Sequence, residues 1–355
     1  MLADPALLER DLLDSRARAI RVTADLDGER LLGPQLAIVN PPLWEIGHVS
    51  WFQEHWCLRK RPDGSLAGSI LPGADALYDS AAVAHDTRWS LPLPDLNATR
   101  AYGDAVLERV RERLAREPES EALQYFVRLA TFHEDMHAEA FHCTRQTLQY
   151  DAPDVFLSAS SNEDLELKGQ TFFLGAKPES GFVFDNEKWA HEVEIAPFRI
   201  ARAVVSNAEY LAFVEAGGAV PRYWKREGSR WLQRRFDRWL PLALGEPVRH
   251  VSWNEAQAYC AWAKRRLPSE AEWECASGLL QAGQLWEWTD STFKPYPGFV
   301  LDPYKEYSEP WFGTHKVLRG GSFATPARLM RPSFRNFYTP DRGDVFCGFR
   351  TCALG

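Results

Sequence analysis

The stretch Phe132-His133-Glu134-Asp135-Met136-His137-Ala138-Glu139 decides how this chain is read. It lies in a segment, Glu121 to Tyr150, whose apolar spacing predicts one helix. Positions four apart on a helix sit one turn above each other, so His133 and His137 present two imidazoles on one side. Such a pair can grip a metal without bending the backbone, as at other helical i, i+4 sites. A third ligand is needed, and His48 in Pro42-Leu-Trp-Glu-Ile-Gly-His-Val-Ser-Trp-Phe52 is the candidate. It lies on a second helix-like segment that can face the first in a bundle. The competing reading is that His133 and His137 are core or surface histidines that merely share a helix.

Working outward, the first 150 residues read as four helices. Residues 5–26 carry leucines and valines at helical spacing among Arg, Asp and Glu. Pro41-Pro42 opens the second helix, which runs to about Lys60. A loop rich in Gly and Pro follows, from Arg61 to Pro94. The third helix is predicted over 97–117, with Asn97 as its N-cap and Pro118 beyond its end. Four antiparallel helices with ligands projecting inward are a common way to build a metal site. After Asp151 the character changes. Short strand-like runs (Thr171 to Gly175, His191 to Ile195) alternate with Gly and Pro, and two short helices are expected at Ser206–Ala216 and Asn254–Lys264. The expected division is a helical domain at 1–155 and a loop-rich domain at 156–355, an α+β chain overall.

The 355 residues suffice for two cores. No apolar run reaches membrane-spanning length, which argues against a membrane protein. The net charge of −8 comes without a basic cluster, which argues against a nucleic-acid partner. Acidic residues stand where a secretory or mitochondrial leader needs a basic stretch, so the chain is read as cytoplasmic. The six cysteines are scattered without C-x-x-C pairs, which argues against a disulfide framework or structural zinc. Most of the 14 tryptophans fall in the second half, which suits aromatic-lined pockets among loops.

The second half carries Pro247-Val-Arg-His-Val-Ser-Trp-Asn-Glu-Ala256, Arg266-Leu-Pro-Ser-Glu-Ala-Glu-Trp-Glu274, Leu285-Trp-Glu-Trp-Thr289, Val317-Leu-Arg-Gly-Gly-Ser-Phe323 and Gly348-Phe-Arg-Thr351. In this order they resemble the formylglycine-generating-enzyme (sulfatase-modifying-factor, C-type-lectin-like) fold. The first half resembles the DinB-like four-helix bundle. The pairing resembles the ergothioneine-synthase family of sulfoxide synthases and its selenoneine-synthase relatives, over nearly the whole chain. The copper-binding cysteine pair of formylglycine-generating enzymes has no counterpart here: Arg331-Pro-Ser-Phe-Arg-Asn-Phe-Tyr338 contains no cysteine, and Cys347 and Cys352 flank the Gly348-Phe-Arg motif instead.

The resemblance implies Fe(II) held by His48, His133 and His137, a position-by-position match. Three imidazoles on one face leave three octahedral positions open, enough for a chalcogen donor and O2. The same ligand set also suits zinc, as in DinB-like thiol transferases and hydrolases. The implied acceptor is hercynine, a quaternary ammonium that aromatic faces can hold. Asn336 matches the betaine-binding Asn, and Phe337 the aromatic cage; Phe337 as plain core packing is the alternative. Tyr304 matches a tyrosine that gives a proton or electron to the oxygen intermediate, with Tyr307 as a binding residue or substitute, and either can be structural.

The donor residues depart from the sulfur-using pattern. Synthases using γ-glutamylcysteine clamp its carboxylates with two arginines before the third helix and hold its amino group with an acidic residue. Here Arg88 matches one arginine, His85 stands in place of the other, Tyr338 replaces the acidic residue, and Met136 replaces a glutamine between the two histidines. Losing half of a carboxylate clamp points to a less charged donor. A selenosugar, stacked on Trp89 and Tyr338, fits better than γ-glutamylcysteine or cysteine. The expected function is oxidative C–Se bond formation. The rivals are a C–S-forming sulfoxide synthase, a zinc-dependent DinB-like transferase and a non-catalytic binding module.

Overall fold

The computed structural model describes residues 3–61, 63–151, 157–158 and 163–355. Its backbone contacts divide the chain into two units, Met1–Leu148 and Gln149–Gly355. Position 155, the expected boundary, lies outside the described residues.

The first unit comprises α1 (Pro5–Thr23), α2 (Pro42–Glu54), α3 (Ala74–Tyr78), α4 (Leu96–Arg116) and α5 (Glu121–Leu148). Asp4 caps α1 by accepting from the Ala6 N–H, and Pro42 takes the first turn of α2, where no N–H is needed. α4 starts one residue earlier than expected: Asp95, not Asn97, is the N-cap, accepting from the Ala98 N–H at 2.8 Å. α1 packs on α5 and α2 on α4. Leu12, Val106, Val110, Val127 and Phe141 fill the space between them. α2 is buried almost all round, so its acidic residues need partners. Glu54 finds them in Tyr102 (2.6 Å), Ser69 (2.6 Å) and the Ile70 N–H.

The Arg61–Pro94 segment is not simply loop. It holds α3 and a 3-10 turn, His85–Trp89. α3 is tied to α2 by the Trp44 indole donating to the Leu77 carbonyl and the Trp51 indole donating to Asp75, both at 2.7 Å. Asp75 also receives a two-pronged Arg59 guanidinium at 2.6 and 2.8 Å. Contact this close needs Gly47, because a Cβ there would meet the Tyr78 ring at 2.2 Å.

The second unit runs β1 (Asp164–Leu167), β2 (Gln170–Leu174), β3 (His191–Ile195), β4 (Phe198–Ala201), α6 (Asn207–Glu215), β5 (Trp224–Glu227), β6 (Arg230–Arg235), β7 (Arg238–Pro241), α7 (Trp253–Ala263), β8 (Arg265–Arg266), α8 (Glu270–Ala276), β9 (Trp286–Thr292), β10 (Lys316–Arg319), β11 (Asn336–Tyr338), β12 (Cys347–Gly348) and β13 (Cys352–Ala353). Among the described residues the strands form small sheets ordered β1-β4-β13-β8, β11-β10-β9-β12, β5-β6-β7 and β2-β3. The expected short helices are α6 and α7; α8 is a third. Each starts at a serine whose hydroxyl accepts from the N–H three residues on, while the glutamate there answers the serine N–H.

The sequence motifs of this unit are its buried ion pairs. Glu270 of α8 accepts from Arg319 (2.8 Å) and Arg335 (2.9 Å), both wholly buried, and Glu274 pairs with Arg319. Glu287 of β9 takes Arg350 and the Trp273 indole. Arg350 also donates to the carbonyls of Ala201, Arg202 and Gln281, lacing distant segments together. Gly348 lets this segment touch the next, since a Cβ would lie 2.6 Å from the Val248 carbonyl oxygen. All six cysteines are free; Cys57, Cys260, Cys347 and Cys352 are buried, as expected of small hydrophobes. Among the described residues no helix is long and apolar enough to cross a membrane.

Candidate metal centre

The site begins with the four-residue spacing of His133 and His137 on α5, which brings their rings to 4.5 Å between centroids. His48 of α2 faces both, at 5.1 and 5.0 Å. One nitrogen from each of the three lies within 4.8 Å of the others.

What each ring does with its other nitrogen decides whether the cluster suits a metal. A backbone carbonyl only accepts, so His48 Nδ1 donates to the Tyr78 oxygen (2.8 Å), and Nε2 keeps its lone pair. His137 Nδ1 is held by the buried Glu45 carboxylate at 2.5 Å, which likewise turns Nε2 to the cluster. His133 stacks flat on Phe52, with centroids 3.6 Å and planes 6° apart. Burial, then repulsion from His137, pushes the His48 and His133 imidazoles well below their ordinary pKa, so both are neutral. Neutral imidazoles with oriented lone pairs are what a divalent cation requires, so these residues fit a metal.

The donor candidates in this unit lie on the 3-10 turn. Arg88 is buried: it donates to Asn40 Oδ1 (2.7 Å) and the Val83 carbonyl (3.3 Å), and its guanidinium covers the Trp44 ring at 3.9 Å. Trp44 stacks in turn on His48 at 4.7 Å. The His85 ring donates to the Val39 carbonyl at 2.8 Å, and the Trp89 indole to the Gly33 carbonyl at 3.1 Å. Met136 is half-buried on α5, between the two histidines in sequence.

The second unit gathers the other candidates into one aromatic group. Tyr304 and Tyr307 lie 5.9 Å apart, and the edge of Tyr307 meets Phe337 at 5.8 Å. Phe293 covers one face of Phe337, stacked at 4.1 Å, and His315 approaches its edge at 5.9 Å. Phe337 thus has the packing role. Asn336 precedes it on β11, with Oδ1 accepting from the Phe337 N–H at 2.9 Å. Tyr338 lies under the Arg342 guanidinium at 5.0 Å, and Asp344 pins that arginine at 2.6 and 2.7 Å. Burial first, then the Glu187 carboxylate, pushes the Tyr307 phenol well above its ordinary pKa, so it keeps its proton.

Sequence reasoning missed three contributors. Glu45 was legible, standing three residues before His48 and so near its face of α2. The Tyr78 carbonyl carries no side-chain signal. The third is the turn Asp185-Asn186-Glu187. Asp185 accepts from Ser308 (2.5 Å) and the Asn186 carbonyl accepts from Arg335 (2.8 Å), while Glu187 accepts from Arg331 and Ser333, both at 2.8 Å. It thereby fastens the segment bearing Tyr304 and Tyr307 to the one leading into Asn336 and Phe337.

Comparison with known proteins bears on both units. Residues 157–281 and 278–353 match the sulfatase-modifying factor enzyme 1-like domain, and residues 11–141 match the DinB superfamily. The chain is 30% identical to the hercynine oxygenase of Mycolicibacterium thermoresistibile, covering 97% of this chain and 94% of that one. It is also 30% identical to the hercynine oxygenase of Mycobacterium tuberculosis, over 98% and 99%. The Schizosaccharomyces pombe ergothioneine biosynthesis protein 1 is 30% identical over 44% of this chain and 26% of its own length.

Proposed function

Because the chain belongs to the hercynine oxygenase family, with a DinB-superfamily bundle followed by a sulfatase-modifying-factor-like domain, we propose that it is an Fe(II)- and O2-dependent oxidoreductase joining selenium from a selenosugar to the imidazole C2 of hercynine. The observation that carries this reading is the convergence of His48, His133 and His137, with donor nitrogens within 4.8 Å and two of the rings turned by hydrogen bonds at Nδ1. His48, His133 and His137 would hold the iron, which when bound would supply the redox chemistry that activates dioxygen toward the chalcogen donor. In the net reaction a C2–H bond and a chalcogen–H bond are lost and a carbon–chalcogen bond forms; the two protons and two electrons released pass to dioxygen, giving hydrogen peroxide, or one water when the second oxygen atom stays on the chalcogen as its oxide.

The chain's own residues bind and orient. Phe337 offers an aromatic surface to the trimethylammonium group, and Asn336 binds the carboxylate or the ammonium end of the betaine. Tyr304 serves as proton or electron donor. Tyr307, kept protonated by its surroundings, binds beside it or substitutes for it.

For the donor, the argument is what Arg88 already does. Its guanidinium is engaged by Asn40, Val83 and Trp44, and His85 by Val39, so no pair of arginines stands ready for two carboxylates. In the first unit Trp89 and Met136 offer uncharged surfaces suited to a sugar, and in the second unit Tyr338 does. The name of the yeast relative, ergothioneine biosynthesis protein 1, favours a sulfur product and so a second reading, for which we propose a sulfoxide synthase taking γ-glutamylcysteine or cysteine. The two separate in one experiment. The protein is loaded with Fe(II) without air, then given hercynine and each donor under O2, and the products are identified by mass spectrometry. The selenosugar should be consumed fastest; faster turnover of γ-glutamylcysteine overturns the selenium assignment.

A further inference from the structure

We propose that Glu45 is a positioning residue of the metal centre, holding His137 through Nδ1 and strengthening Nε2 as a ligand. The inference rests on the three-histidine reading above and adds a residue to it. Glu45 is 1% exposed, yet its partner His137 retains a 19% exposed side chain, so the carboxylate is the fixed member of the pair and the imidazole the one needing orientation. The bond crosses from α2 to α5, the two helices that carry the ligands, and Glu45 shares α2 with His48. One short helix therefore supplies a ligand and the partner of another ligand.

The three rings are held by different means. His48 is held by the neutral Tyr78 carbonyl and His133 lies against the Phe52 ring, whereas His137 has a carboxylate. A carboxylate behind an imidazole raises the basicity of the far nitrogen more than a carbonyl does. His137 is therefore a stronger donor than His48. Arg88, stacked on Trp44 next in sequence to Glu45, lies within electrostatic reach of that carboxylate. The arginine that resembles one half of a donor clamp thus also places a positive charge toward that glutamate.

The competing role for Glu45 is to pin two helices together, and cobalt(II) distinguishes the two, because its visible ligand-field bands report ligand strength directly. Wild type, Glu45→Ala, Glu45→Gln and His133→Ala are titrated with Co(II) in the full-length protein, with circular dichroism and thermal melting as folding controls. Glu45→Ala should bind Co(II) about 10–100-fold more weakly than wild type, with shifted bands. Glu45→Gln keeps an acceptor of the same shape and loses the charge; it should bind about tenfold more weakly, and it carries the test if the alanine variant does not fold. Wild-type affinity and bands in a folded Glu45 variant overturn the assignment. A wild type that takes up no cobalt, or a His133→Ala variant that binds as well as wild type, overturns the three-histidine reading itself.

Discussion

Two nitrogens of one imidazole cannot be treated separately: whatever occupies the first decides the chemistry of the second. That is why the pair His133 and His137 was legible from spacing, while the support of the site was only partly so. A side chain such as Glu45 leaves a trace in its distance from His48; the Tyr78 carbonyl, which every residue type can supply, leaves none. Arg88 shows the converse. Its position matched a clamp, but only the structure shows Asn40, Val83 and Trp44 already engaging it. Phe337 is the residue whose two readings most need separating, since it packs on Phe293 and is also proposed to meet the ammonium group. Phe337→Leu keeps apolar bulk and removes the π face, worth about 1–2 kcal/mol toward a desolvated cation. The KM for hercynine should rise about 5–30-fold with kcat and melting temperature little changed. An unchanged KM would leave Phe337 with packing alone.

Among elements, those with length or strong punctuation were legible and the short ones were not. α5 has many turns over which its pattern repeats, whereas α3 has five residues and cannot show a period. α8 is legible from Ser269 and Glu272, a capping pair inside a motif that also carries the family resemblance. The other motifs of the second unit were conspicuous for a physical reason: Arg319, Arg335 and Arg350 are buried charges that tolerate few partners. α3 matters out of proportion to its size because it delivers the Tyr78 carbonyl to His48, and Gly47 is what admits it. Gly47→Ala should therefore cost about 1–3 kcal/mol through overpacking. It should also weaken metal binding, since α3 must move away from α2. Denaturant unfolding and cobalt titration measure the two effects. A variant as stable as wild type would show that Tyr78 yields without strain.

At the scale of the whole molecule, composition and the change of pattern after Asp151 were enough to read two units of different character. The backbone contacts divide them after Leu148. Stability at low pH belongs to this scale, because buried neutral histidines favour unfolding once protons are available. His250, 1% exposed, lies against Tyr223 and Phe346. Burial, then the charges of Arg249 and Arg234, pushes its pKa well below 6.5, against a smaller opposing pull from backbone hydrogen bonds at Val345 and Asp344. The unfolded chain then binds a proton below about pH 6.5 that the folded chain does not. The stabilisation is complete above that pH and is lost as pH falls toward the folded pKa, by about 1.4 kcal/mol per pH unit. His250→Asn suits the local φ of +63°. It should remove about 2 kcal/mol of the stability difference between pH 6.5 and pH 5, read from unfolding curves at the two pH values. An identical difference in both proteins would exclude His250 as the source.

The four buried cysteines carry a consequence of another kind. A selenol or thiol that air has oxidised to its diselenide or disulfide exchanges with any protein thiolate it can reach, leaving a mixed dichalcogenide on the protein and releasing one reduced equivalent. Burial raises all four of these thiols, Cys260 and Cys352 to about 12, and Cys57 and Cys347 further. Protonated and sealed off, they are poor nucleophiles, so the protein can be bathed in a reactive donor without being covalently captured at these four sulfurs.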